Sequence, residues 1–161
     1  MKKWVKFALI GLGAVLLLMQ FVRIDKSAPA VDPSADFLTM TNAPAEMAAL
    51  IRAACYDCHS YETKYPWYAN IAPASLWVAN HIEEGREHLN FSNWASYPAG
   101  KQAHKLEECA EEVAEGHMPE KSYTWMHPEA RLDEVQQQAM AQWFNSMKMA
   151  APGGGNDYDD H

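Results

Sequence analysis

Apolar side chains recur at helical spacing along most of the chain and almost nowhere with the alternation of a strand. Met47, Leu50, Ile51, Ala54 and Cys58 fall at i, i+3, i+4, i+7 and i+11 just after Pro44, a residue accepted in a first helical turn. They predict a helix that runs straight into the cysteine-rich stretch that follows. A second helix is predicted from about Pro73 to Leu89. It buries Val78, Ile82, Gly85 and Leu89 and leaves Glu83, Glu84 and Glu87 to water. A third spans about Lys101 to Glu115, with Leu106, Cys109, Ala110 and Val113 on one face and Gly116 placed to end it. Asp133 followed by Gln136 has the form of a capping box, and Met140, Trp143, Phe144 and Met147 give the last helix a wide apolar face. The pattern predicts an all-α fold. YPWYANIAP and MPEKSYTWMHP read as aromatic, proline-rich loops.

The start of the chain breaks the amphipathic pattern. WVKFALIGLGAVLLLMQFV, from Trp4 to Val22, is apolar all round and follows Lys2 and Lys3, as expected of a signal anchor with its basic end in the cytoplasm. The nearest small-residue tripeptide, Ala28-Pro29-Ala30, lies beyond three charges and contains proline, so the segment is expected to remain uncleaved. The organisation that follows is an N-terminal transmembrane helix over 1–26, a linker over 27–43, a small helical domain over 44–150, and a disordered acidic tail over 151–161. This puts the domain in the periplasm of a bacterial inner-membrane, single-pass protein.

Charge narrows the choice of partners. The 161 residues carry a net charge of -8. Residues 1–26 hold five Lys/Arg and one acidic residue, which leaves eight basic against 20 acidic, a net -12, for the rest. Such a domain does not suit nucleic acid or anionic lipid surfaces, where clustered Lys and Arg neutralise phosphates, and suits basic protein partners better.

The candidate chemistry is concentrated in Cys55-Tyr56-Asp57-Cys58-His59. On a helical turn, i, i+3 and i+4 share a face, so two thiols and an imidazole converge. That arrangement suits haem c, one copy, joined by thioethers to Cys55 and Cys58 with His59 on the iron. Met118, in GHMPEKSY, is the expected second ligand, because a soft thioether favours ferrous iron; His117, Met126 and His127 are its alternatives. Trp67 and Trp125 flank the two axial candidates in sequence and are expected beside the ring. A backbone carbonyl near Pro66 or Pro73 is expected to fix His59 through Nδ1, and Arg86 to pair either with a haem propionate or with Glu83.

CYDCHSYETKYPWYANIAPASLWVANHIEEGREHLNFSNW, followed by MPEKSYTWMHPEARL, resembles the haem-binding domain family of membrane-anchored bacterial proteins, itself similar to class I c-type cytochromes. The resemblance covers roughly Met47 to Phe144 and implies covalent haem at Cys55 and Cys58 with His59 as proximal ligand. The expected role is one-electron transfer to and from redox proteins in or near the membrane, with iron cycling and no substrate bonding.

Three other readings use the same residues. Zinc would take Cys55, Cys58 and His59 with Cys109, although adjacent Cys and His seldom share one tetrahedral ion. Thiol-disulfide exchange would use the CxxC alone, without the βαβ setting such sites have. A peroxidase-like enzyme or small-ligand sensor would keep an open position on the iron, with His81, His88, His104 or His117 beside it. The lone Cys109 reads as a small core residue of the third helix.

Overall fold

The computed structural model describes residues 3–150, all helix and connecting segments with no strand among them; the expected tail, 151–161, lies outside the described residues. The helices are α1 (Lys3–Met19), α2 (Phe37–Met40), α3 (Ala45–Ala54), α4 (Tyr56–His59), α5 (Ala74–His88), α6 (Ala99–Ala114), α7 (Lys121–Met126) and α8 (Glu134–Ala150), with 3₁₀ turns at Pro33–Ala35, Trp67–Asn70, Phe91–Ser96 and Pro128–Ala130.

α6 and α8 pack side by side and make the main wall. Leu106, Ala110 and Val113 of the first and Met140 and Phe144 of the second are buried as the periodicity predicts; Ala103 and Ala141 join them, while Cys109, Trp143 and Met147 are half-buried. The ends are fixed by side chains. Gln136 N–H donates to Asp133 Oδ1 at 2.8 Å, and Asp133 N–H donates to Gln136 Oε1 at 3.0 Å, the reciprocal capping box expected at the start of α8. Gln137 Nε2 donates to Val113 O at 2.6 Å and satisfies a carbonyl at the end of α6. Gly116, at φ +73°, turns the chain so that the amides of His117 and Met118 both return to Glu112 O at 3.0 Å. That turn sets the position of Met118.

Four expectations change. The helix from Pro44 does not run unbroken to Cys58. Cys55 leaves helical geometry (φ -126°, ψ -37°), and α4 is a separate single turn. The break lets Tyr56 turn inward, where its ring stacks on Phe91 at 5.4 Å and its hydroxyl donates to Asp36 Oδ2 at 2.9 Å.

The stretch 27–43 is not a linker lifting the domain away. Asp36 caps α2 through Leu38 N–H at 3.0 Å, and Phe37 is fully buried among Phe91, Trp94, Trp143 and Phe144, with ring centroids 4.7–6.1 Å away. Four residues suffice here because burial of the aromatic ring, not helix propensity, holds them.

MPEKSYTWMHP is not wholly loop, since Lys121–Met126 is α7. Finally, α1 has 17 residues and stops short of the apolar run that predicts it; among the described residues no helix is long and apolar enough to cross a membrane. It ends where Gln20 turns onto the domain, donating to Ala72 O at 2.8 Å and accepting from Ala72 N–H at 3.1 Å.

Candidate haem site

A cavity of about 530 Å³ opens between α4, α5, α6 and α7. Cys55, Cys58 and His59 border it from one element, and Met118 and Pro119 from the segment after α6. Val78, Ile82, Leu89, Phe91, Val113 and Phe144 supply apolar wall. Volume and lining are those of a site that encloses a mostly apolar molecule and orients it with a few polar groups.

His59 is held by the end of α5. Its Nδ1 lies 2.8 Å from Gly85 O and 3.2 Å from Leu89 O. Carbonyl oxygens only accept, so Nδ1 carries the proton and Nε2 is the nitrogen with the free lone pair. The acceptors are therefore Gly85 and Leu89, not a carbonyl near Pro66 or Pro73. Gly85 O also accepts the Leu89 amide at 2.9 Å, so the ring shares that carbonyl's second lone pair at the end of α5. Burial holds the His59 pKa below the usual imidazole range, against the opposing pull of the Leu89 and Gly85 carbonyls, so the ring is neutral.

The thiols are free, and burial pushes Cys55 up to about 12, with Cys58 adding to the shift. Cys58 is pushed up to about 11, by burial first and then by Asp57 and Glu120. Neutral, sluggish thiols are the opposite of what exchange chemistry needs. Nor is any group of three or more His, Cys, Asp or Glu among the described residues arranged to hold a metal by itself, which removes support from the zinc reading.

The motif is fastened from both sides. Asp57 accepts from Tyr123 Oη and from Lys64 N–H, each at 2.8 Å. Arg86 pairs neither with Glu83 nor into the cavity. Its Nε donates to Ser60 O at 2.8 Å and its terminal nitrogen to Thr63 Oγ1 at 2.9 Å, clamping the chain just after His59. Gly85 has a steric role as well. A Cβ there would stand 3.0 Å from Cys58 O and 3.3 Å from Cys58 Cβ, so α5 rests directly on the motif. Gly85→Ala is expected to cost about 1–3 kcal/mol through overpacking. It should also weaken haem incorporation, checked by thermal unfolding and by haem content per chain.

Neither tryptophan expected beside the ring borders the cavity. Trp67 is 69% exposed and Trp125 77%. Each sits in a short helical turn whose inward positions belong to neighbours: Tyr68 and Ala69 in one, Tyr123 and His127 in the other. Of the alternatives to Met118, His117 pairs outward with Glu112 and Glu115 and does not border the cavity, and neither does Met126. His127 does border it, but Glu129 Oε1 takes its Nδ1 at 3.1 Å and Tyr68 Oη donates to its Nε2 at 2.9 Å. His81 and His88 line the α5 side, while His104 does not reach it. Cys109 lines the cavity and packs on the core. Sequence reasoning missed Asp57 and Tyr123. The only available signal is the position of Asp57 between the two cysteines.

The family model of the haem-binding domain matches residues 14–146. The chain belongs to the haem-binding domain family. No curated protein and no solved structure matches it. Haem binding by this domain agrees with its free thiols, its neutral imidazole of fixed tautomer, and a cavity with apolar walls. The match begins inside α1 and takes in α2, in accord with the burial of Phe37 in the core of the haem-binding domain.

Proposed function

We propose that the domain would hold one haem c covalently through Cys55 and Cys58, with His59 Nε2 and Met118 Sδ as the atoms that would bind its iron, and serves as a single-electron carrier related to class I c-type cytochromes. The observation carrying this reading is that all four residues border one cavity, with Met118 coming from a separate element. When bound, haem supplies a reversible one-electron iron couple. The rest of the work belongs to the chain. Gly85 and Leu89 orient His59, the turn after α6 sets the position of Met118, and the apolar wall would pack against the ring. Glu84, Glu108, Glu111, Glu112 and Glu120 also border the cavity, with Lys64 the one Lys or Arg there among the described residues, which favours redox partners that present Lys and Arg.

Attachment to a bacterial inner membrane, with the domain on the periplasmic side, is part of the same proposal. The 17 residues of α1 rise about 26 Å, short of a hydrocarbon core of about 30 Å. Local thinning of the bilayer and the apolar Phe21 and Val22 in the turn make up the difference. Its side chains Trp4, Phe7, Leu9 and Ile10 are exposed, and Lys2 and Lys3 precede them.

Met118→Ala is expected to abolish the sulfur-to-iron charge-transfer band and lower the reduction potential, measured by absorption spectroscopy and redox titration. No change in either would remove Met118 from the iron. A second reading, peroxidase-like or small-ligand chemistry at an open position, draws on the Tyr68–His127–Glu129 chain at the cavity wall. Fast peroxide turnover or tight carbon monoxide binding by the unaltered protein would favour it.

A further inference from the structure

The chain leaving α1 is fastened to the haem-binding domain. Gln20 makes its two hydrogen bonds with Ala72, and Ile24 packs on Ala69, Val78 and Ile82. Lys26 Nζ donates to Asn70 Oδ1 at 2.6 Å and lies 5.1 Å over the Tyr65 ring. These contacts fall on the segment from Tyr65 to Ala72, which includes the 3₁₀ turn at Trp67–Asn70, and on Val78 and Ile82 of α5.

Around that attachment several large apolar side chains are uncovered, interspersed with the exposed Arg23, Asp25 and Asn70. Phe21 is 84% exposed and Trp67 69%, and Val22, Ile71, Leu76 and Trp77 are exposed beside them in the chain. Isolated exposed apolar residues are ordinary, but a set gathered at one place marks an interface. What covers it follows from its continuity with α1. Gln20 ends that helix and is bonded to the residue next to Ile71, so the medium around the apolar helix begins within a residue of this patch. Its side chains are of the kinds that favour a membrane–water boundary: tryptophans, with the exposed Arg23 nearby in the chain.

We propose that residues 67–77 rest in the interfacial layer of a lipid bilayer, holding the haem-binding domain against the membrane in one orientation. The inference rests on the membrane attachment proposed above and goes beyond it. A free tether would let the domain swing, whereas this clamp fixes which side faces lipid. Trp77 belongs both to the patch and to the cavity wall, so the cavity rim sits at the lipid headgroups. The partner served is then one that meets the domain at the bilayer surface.

The test uses the holoprotein of the whole chain in phosphatidylcholine vesicles, part of whose lipid carries a diazirine in its acyl chain. After irradiation, lipid adducts are mapped by peptide mass spectrometry. Adducts are expected in α1 and also on Trp67, Ile71 or Trp77, and those in the second group should be lost in Trp67→Ser/Trp77→Ser. Adducts confined to α1 would overturn the proposed orientation and leave membrane attachment standing. Adducts in neither would overturn both. Chemical cross-links joining this patch to a second copy, in place of lipid, would also overturn it.

Discussion

His59→Ala, produced in a host that matures c-type cytochromes, is expected to retain haem through its two cysteines and to lose the low-spin spectrum of the unaltered protein. The imidazole fills a defined slot between α4 and the end of α5, and its removal leaves Leu89 O without that donor. Added imidazole should restore the low-spin bands, because Gly85 O and Leu89 O remain to orient a free ring just as they orient the side chain. A merely structural role for His59 predicts the opposite: a spectrum unchanged by the substitution and indifferent to imidazole.

Phe37→Ala is expected to destabilise the domain by about 3–5 kcal/mol, a large share of the roughly 5–15 kcal/mol that holds a domain of this kind together. For a chain of this length that corresponds to a fall in melting temperature of about 10 °C, measured by circular dichroism. The ring is fully buried against four aromatic partners, and one of them, Phe91, also stacks on Tyr56 beside Cys55 and edges onto His59. Loss of packing at Phe37 should therefore loosen the motif itself. A loss under about 0.5 kcal/mol would return residues 27–43 to the role of a simple tether.

Residues with strong periodicity were legible from the chain alone. α5, α6 and α8 bury most of the residues their spacing predicts, with Gly85, Cys109, Trp143 and Met147 half-buried. Gly116 and the Asp133–Gln136 pair end and begin helices as their types require, because those signals are local. The rest depends on tertiary contacts. α2 is four residues in a stretch rich in Pro, Ala, Ser and Asp, and only the partners of Phe37 reveal it as core. The break at Cys55 follows from the inward pull on Tyr56 by Asp36 and Phe91, one of them far along the chain.

In the site, the CxxCH residues and Met118 could be named as candidates from type and spacing, and they border one cavity. The partners that hold them could not. Gly85 and Leu89 reach His59 only because α5 crosses the motif at a glycine. Arg86 reaches past its own helix to Ser60 and Thr63, where spacing alone suggests Glu83. The tryptophan error was one of register in short turns: the right segments approach the cavity, but Tyr68 and His127 face it instead of Trp67 and Trp125. A turn of four to six residues carries too little pattern to show which side is inward.

The central claim, one haem joined to the chain at Cys55 and Cys58, is tested most directly by the intact mass of the denatured full-length protein after alkylation. The account predicts the mass of the chain plus one haem, with Cys109 alkylated and Cys55 and Cys58 refractory. The bare chain with all three thiols alkylated, from a host competent in cytochrome maturation, would contradict it.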